Sequence, residues 1–125
     1  MKLLSSQIDK ASLSAIGEEA RALLIQQNYS ELANRFGYIL AYDRAPSAAI
    51  KADFLSAAAS PYKVASGAQQ PIEVKYFAPN NASLFAVVEC TVPIAEDSAV
   101  LLELIVTGRG DEKHITVEDI TGATK

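Results

Sequence analysis

The sequence predicts an α+β fold in which N-terminal helices pack on one face of a curved antiparallel sheet. Apolar residues follow the 3.6-residue period of a helix in the first two-fifths of the chain, and the two-residue period of a strand from about residue 71. Short connectors with turn residues join the strand-like segments, and such connectors link only antiparallel neighbours. With 125 residues, half of them apolar, we expect a single domain over residues 1–125.

The helical period appears in three segments. In the first, Ile16, Ala20 and Leu24 recur at intervals of four residues, with charged residues between them. We expect Asn28 to end this helix and Ser30 to cap the next one. The predicted helices cover about residues 12–27, 30–42 and 47–59.

Four segments after the helices have the strand period and are rich in Val, Ile, Tyr, Phe and Thr. On the third of them even the second face is apolar, with Leu101 and Ile105 on either side of Glu103. We therefore expect this second face to be partly buried, either by homodimerisation through the sheet or by a partner protein. The segments predict a four-stranded meander with strands at about residues 71–78, 84–92, 99–107 and 113–120.

The charge balance of 11 Lys and Arg against 15 Asp and Glu disfavours nucleic acid or an anionic membrane as a partner, because phosphate neutralisation needs clustered cations. The sequence has neither a secretory leader pattern nor an apolar run of the ~20 residues that cross a bilayer, so we expect a cytoplasmic protein. Cys90 and His114 are the single cysteine and histidine. We expect no metal or other cofactor, and we interpret Cys90 as a buried core residue and His114 as solvated.

Two glutamates on the central strands are candidate site residues. Glu103 lies between Leu101 and Ile105, where burial would raise its pKa and suit it to act as a general base, and Glu89 lies on the preceding strand. The alternative is that both glutamates lie on the less buried face of the sheet and pair with Lys or Arg. The residues form no complete catalytic constellation, so we assign no catalytic residue.

A second candidate binding region lies near the end of the second predicted helix and in the loop after the third. It combines Tyr38, Tyr42, Asp43 and Arg44 with Tyr62, and both Tyr and Arg are enriched at binding hot spots. The alternative is that these tyrosines close the open end of the core with their hydroxyl groups in water.

Two segments carry a resemblance to a known family. Residues 22–33 read ALLIQQNYSELA, an apolar helix followed by a short polar turn with an aromatic residue and a second helix, and residues 115–120 read ITVEDI in the final strand. With the order of three helices and a meander, they resemble the nuclear-transport-factor-2-like (cystatin-like α+β) superfamily over residues 12–120. The resemblance implies a cone-shaped fold, a pocket between helices and sheet, and frequent dimerisation across the sheet.

Members of this superfamily include enzymes, ligand binders, adaptors and bacterial immunity proteins, so the fold alone does not select a function. The missing catalytic constellation and the acidic balance favour a small noncatalytic protein-binding domain, specifically a bacterial immunity protein that neutralises a basic toxin domain by direct contact. The alternatives are a structural dimer, or a small-ligand-binding protein or isomerase- or cyclase-type enzyme that uses the cone pocket, with Glu103 or Asp43 as acid and base. Acidic pairs suited to steer a basic partner lie at residues 96–97, 111–112 and 118–119.

Overall fold

The computed structural model of the chain describes residues 1–58, 72–95 and 98–124, and confirms the α+β class. Two short 3₁₀ segments occur in the helical region, Ser5–Gln7 before the first α-helix and Ile39–Ala41 between the second and third. The α-helices of the described residues are α1 (Lys10–Ile25), α2 (Tyr29–Phe36) and α3 (Pro46–Ala58). The strands are β1 (Lys2–Leu3), β2 (Ile72–Tyr76), β3 (Leu84–Ala95), β4 (Ser98–Arg109) and β5 (Glu112–Thr124).

The strands form one open antiparallel sheet in the order β1-β5-β4-β3-β2. The four predicted strands are therefore successive antiparallel neighbours, as the short connectors indicated. The prediction of only four strands was wrong, because β1 pairs with β5 through Lys2 opposite His114 and Leu3 opposite Lys113. Two residues carry no detectable period, so the sequence pattern gave no signal for β1.

The first two helices begin and end differently from the prediction. Helix α1 begins at Lys10 because Asp9 caps it, accepting hydrogen bonds from the Ser12 amide at 3.1 Å and the Ser12 hydroxyl at 2.6 Å. Asn28 does not end α1 but caps α2, where its side chain accepts a hydrogen bond from the Glu31 amide at 3.3 Å. Ser30, expected to be this cap, lies in the first turn of α2.

The second helix is shorter than the predicted span of 30–42. It ends at Phe36 because Gly37 adopts φ 74° and ψ −177°, a conformation that glycine reaches without steric cost. Tyr38 is then extended and forms an isolated bridge with Val117 on β5, before the 3₁₀ segment begins. Tyr38 therefore contacts the sheet rather than continuing a helix.

The remaining bounds differ by a few residues. Helix α3 spans residues 46–58 and residue 59 lies outside the described residues, as does residue 71 at the predicted start of β2. β2 ends at Tyr76, two residues earlier than predicted. The other three predicted strands extend beyond their expected ends, since hydrogen-bonded pairing between β4 and its neighbours continues almost to the turns.

One face of the sheet is buried beneath the helices. Val88 is opposite Leu104 and Cys90 is opposite Leu102, and all four side chains are fully buried. Helix α1 packs on β2 and β3, and α3 packs on β4 and β5. The opposite face, called the outer face here, carries the alternate residues of each strand, including Glu89 opposite Glu103. Among the described residues, no helix is both long and apolar enough to span a membrane.

Helix α1 approaches the sheet most closely at Gly17. A Cβ atom at this position would lie 2.8 Å from Cγ1 of Val88 and 3.1 Å from Sγ of Cys90. The Cys90 thiol is 3.6 Å from the Gly17 carbonyl oxygen. A glycine is required here because the helix backbone rests directly on β3.

We expect Gly17→Ala to lower the free energy of unfolding by about 1–3 kcal/mol, because overpacking against β3 outweighs the gain of about 1 kcal/mol in helix propensity. Urea unfolding measures the change. Val88→Ala removes the methyl group that the new Cβ meets, so the losses in the double variant should be less than additive. Additive losses would contradict this packing.

Candidate functional site

The outer face of the sheet carries a row of carboxylates across four strands. Glu73 on β2 is opposite Glu89 on β3, Glu89 is opposite Glu103 on β4, and Glu103 is opposite Asp119 on β5. We call these four residues the acidic row. A register shift after Glu103 adds Glu118 beside it. The antiparallel register thus brings together five carboxylates that are far apart in the sequence.

One basic residue neutralises part of the acidic row. Lys75 Nζ lies 2.6 Å from Oε1 of Glu89 and 3.9 Å from Oε2 of Glu73. Its ammonium group has a raised pKa because it hydrogen-bonds to Glu89 and is attracted by the neighbouring carboxylates. Glu89 therefore pairs with a lysine, as one of the two sequence interpretations held.

Glu103 lies at the centre of the acidic row, where negative charges outnumber positive ones. Burial raises the pKa of its carboxyl group, and the charges of Glu89, Glu118 and Asp119 raise it further, while Lys75 lowers it. Among the described residues, no Lys or Arg forms an ion pair with Glu103. Since like charges directly opposite each other on neighbouring strands are destabilising, the folded chain holds Glu103 at an energetic cost.

Apolar side chains surround these carboxylates. Leu101 and Ile105 flank Glu103 on the outer face, and Val87 lies opposite Ile105 on β3. All three are half-buried in the chain by itself. Protein-binding faces ordinarily combine an apolar centre with a polar rim, and this face instead has carboxylates at the centre of its apolar surface.

Glu89 and Glu103 were singled out from sequence separately, but their opposition on neighbouring strands was not foreseen. The innermost pair of the β3–β4 hairpin, Ala95 opposite Ser98, would by itself place Glu89 opposite Leu104. The register shift between Pro93 and Ala95 places Glu89 opposite Glu103 instead, and the sequence pattern gave no signal for this shift. Both carboxylates belong to the outer face and not to the core between helices and sheet.

Tyr38 and Arg44 from the second predicted region meet at Asp53, a residue that sequence reasoning missed. The Tyr38 hydroxyl donates to Oδ2 of Asp53 at 2.6 Å. Arg44 donates to both carboxylate oxygens of Asp53, at 3.0 and 3.1 Å. Asp53 lies on α3, and its only signal in the sequence is an acidic residue on a mostly apolar helix. This bidentate pair connects α3 to the segment that follows α2.

The contacts of Arg44 also fix the backbone before it. Its guanidinium donates to the carbonyl oxygens of Leu40 at 2.7 Å and Ala41 at 3.2 Å. Tyr42 follows with φ 55°, a conformation that side chains rarely adopt, and its ring is 80 % exposed. Asp43 is exposed. Tyr62, the fifth residue of the predicted region, lies outside the described residues.

Burial and hydrogen bonding determine the ionisation of this cluster. The Arg44 guanidinium, followed by the Tyr38 hydroxyl, holds the pKa of Asp53 below its usual value despite partial burial. Burial and the Asp53 charge raise the pKa of Tyr38, so its hydroxyl keeps the proton that it donates. The arrangement is a saturated hydrogen-bond cluster suited to fixing the helices.

Cys90 and His114 lie on different faces of the sheet. Cys90 is fully buried beneath α1, and burial raises the pKa of its thiol to about 12. His114 is exposed and is opposite Thr107 and Lys2 on the neighbouring strands. The thiol is therefore neutral at physiological pH and faces away from the imidazole, as expected for a structural cysteine.

The space between helices and sheet is occupied by one apolar core in the described part of the chain. Neither Glu103 nor Asp43, the two alternative acid/base residues of a cone pocket, lies in this core, since Glu103 lies on the outer face and Asp43 is exposed. A cleft of about 690 Å³ lies instead at the end of the sheet, between Phe77, Asn80, Phe85 and Lys113. Within the described residues no group of three or more His, Cys, Asp or Glu is placed to hold a metal ion.

Comparison of the chain with protein-family models, with curated proteins and with solved structures gives no match. The resemblance to the nuclear-transport-factor-2-like superfamily therefore stays a prediction from the order and pattern of the elements.

We expect Asp53→Asn to lower the free energy of unfolding by about 1–2 kcal/mol at pH 7, because the charge-assisted hydrogen bonds from Tyr38 and Arg44 are lost. The expected loss is no larger because the Asp53–Arg44 pair is partly exposed to solvent. Since the pKa of Asp53 is depressed in the folded state, its contribution is present above its ordinary value of 3.8 and disappears as the pH falls through the lower folded value. Urea unfolding at several pH values measures this. The neighbouring Asp43→Asn should leave stability unchanged, and equal stability of wild type and Asp53→Asn would contradict the cluster's role.

We expect Glu103→Gln to raise the free energy of unfolding at pH 7 by up to about 1 kcal/mol, because it removes the repulsion at the centre of the acidic row. The pKa of Glu103 is raised in the folded state, so the wild type loses stability as the pH rises from the ordinary value of 4.5 through the folded value. The difference between variant and wild type should therefore vanish in acid. Thermal unfolding at neutral and acidic pH tests this, with Glu112→Gln at the start of β5 as the matched control. A variant less stable than wild type at pH 7 would refute the prediction.

Proposed function

We propose that the chain is a small noncatalytic protein-binding domain whose outer sheet face binds a cationic partner, and specifically a bacterial immunity protein that neutralises a basic toxin domain. The observation that carries this proposal is the direct opposition of Glu89 and Glu103 at the centre of the outer face. These carboxylates are held together by the register of the sheet, at a cost to folding.

Such a cost is typical of residues retained for function, since a neutral pair at the same register would give a more stable chain. Lys75 neutralises the Glu89 side of the acidic row. A cationic side chain from a partner would approach Glu103 and replace repulsion by attraction. Arginine suits this position because its planar guanidinium binds carboxylates with two hydrogen bonds.

The apolar residues beside the acidic row add surface that a partner protein can bury, in addition to the charged contacts. Val87, Leu101 and Ile105 are half-buried and lie around Glu103. A partner that covers them excludes water from the ion pair and strengthens it. Toxin domains that act on nucleic acid have the cationic surfaces required, because they must neutralise phosphates.

The proposal extends to the shape of the fold and the place of action. We propose that the helices and sheet form a cone of the cystatin-like type, supported by three helices that pack on one face of an antiparallel sheet. The immunity function places the protein in the cytoplasm, where an intracellular toxin domain acts.

Affinity capture from host cells tests the proposal. We expect the wild-type chain to retain a protein with a cationic toxin domain, and E89Q/E103Q to bind that protein at least about tenfold more weakly, because truncating opposed interfacial charges removes steering and attraction. When the captured toxin domain is expressed in cells, co-expression of the wild-type chain should protect them, and co-expression of E89Q/E103Q should not.

The matched control is D111N/E112Q, which removes the same charge from the β4–β5 turn and the first residue of β5 and should bind as wild type does. Equal binding by E89Q/E103Q would contradict the outer face as the site, and a captured partner without a basic surface would contradict the function.

A further inference from the structure

Within the described residues, the outer edge of β2 presents backbone groups that bond to no other strand, in a defined pattern. The Phe77 amide donates to the Phe85 carbonyl oxygen at 2.9 Å, which makes Phe77 and Phe85 a hydrogen-bonded pair of the β2–β3 ladder. In an antiparallel ladder this type of pair recurs every second residue, so Lys75 and Glu73 also bond to β3. The N–H and C=O groups of Ile72, Val74 and Tyr76 therefore point away from the sheet. Among the described residues no strand pairs with this edge.

The sequence of β2, IEVKY, is complementary to itself in the antiparallel direction. If two copies pair about a two-fold axis at Val74, Val74 faces Val74, and each Glu73 faces Lys75 of the second copy. Each Ile72 then faces Tyr76 of the second copy. The outward groups at residues 72, 74 and 76 form the hydrogen-bonded pairs, and Glu73 and Lys75 form the closer, non-hydrogen-bonded pairs.

We propose that the chain dimerises through the edge of β2 and so forms one continuous sheet from two copies. This inference is independent of the proposed function, because it rests on the edge of β2 and not on a partner for the outer face. The occupant is a second copy because the charges match: two identical strands give two Glu73–Lys75 pairs, while an isologous contact closes on itself.

The side chains of β2 have the exposure that such a contact would cover. The Glu73 and Lys75 side chains are 67 % and 59 % exposed on the outer face. On the helix-facing side, Ile72 would lie 3.4 Å from a Cβ atom at Gly17, and Tyr76 is 46 % exposed although its hydroxyl donates to the Ile8 carbonyl oxygen. Pairing of the edges buries apolar surface of Ile72 and Tyr76 from both copies.

Dimerisation face to face is disfavoured by the acidic row. Two outer faces in contact would bring Glu103 of one copy towards the carboxylates of the other, and like charges across an interface suppress association. The β2 edge has one acid and one base instead. A lysine on an edge strand ordinarily discourages pairing with other strands, and here Glu73 of the second copy compensates it.

Light scattering coupled to size exclusion tests the proposal from low micromolar to millimolar concentration. We expect the wild type to approach twice the chain mass of 13.3 kDa. Glu73→Lys and Lys75→Glu should each dimerise at least about tenfold more weakly, because each creates two like-charge pairs across the axis. An equimolar mixture of the two variants should regain the dimer, since one copy then carries two lysines and the other two glutamates.

Lys75→Glu also breaks the ion pair with Glu89, so a second variant is needed that leaves this ion pair intact. Val74→Pro removes an amide that makes no bond to β3 but donates at the centre of the proposed interface, and it should be a folded monomer by circular dichroism and light scattering. Glu112→Lys makes the same charge change as Glu73→Lys away from the edge and should dimerise normally. A wild-type monomer throughout, a dimeric Val74→Pro, or a mixture that stays monomeric would overturn the proposal.

Discussion

The alternation of side chains along β3 and β4 is the constraint on which the rest of the structure depends. The register of these strands buries Val88, Cys90, Leu102 and Leu104 beneath the helices. A slip by one residue would turn the carboxylates into the core, so the apolar face fixes the register strongly. The opposition of Glu89 and Glu103 is therefore a consequence of core packing. A slide of either strand by one residue therefore cannot relieve that repulsion.

Two contacts hold the helical layer on the inner face of the sheet. Gly17 allows the backbone of α1 to rest on β3, and Asp53 joins α3 to Tyr38 and Arg44 beside β5. The first contact depends on the absence of a side chain and the second on charge-assisted hydrogen bonds. Within the described residues, the helices they hold cover the inner face of β2 to β5 and leave the outer face and the edge of β2 for a partner.

The sequence predicted the features that depend on local periodicity, and missed those that depend on contacts distant in the chain. The four longer strands and their order followed from the two-residue period and the short connectors. β1 is too short to have a period, and Ile39 and Leu40 continued the helical spacing although Gly37 ends the helix. Asp53 was missed because its role arises only when α3 folds back on Arg44. Glu103 was identified as unusual, but its repulsion with Glu89 requires the register.

The proposed partner site on the outer face and the proposed dimer contact at the edge of β2 use different parts of the sheet. Members of the superfamily that the sequence resembles frequently dimerise across the sheet, which would cover the acidic row. Pairing through β2 extends the sheet and engages Glu73 of each acidic row, but it leaves Glu89, Glu103 and Asp119 of both copies uncovered on the same side of the dimer, because strands that continue a sheet keep their faces aligned. Two cationic partners, or one with a repeated basic surface, would then bind without competition from the dimer contact. The charge on the outer face thus explains both why a cation would bind there and why a second copy would not.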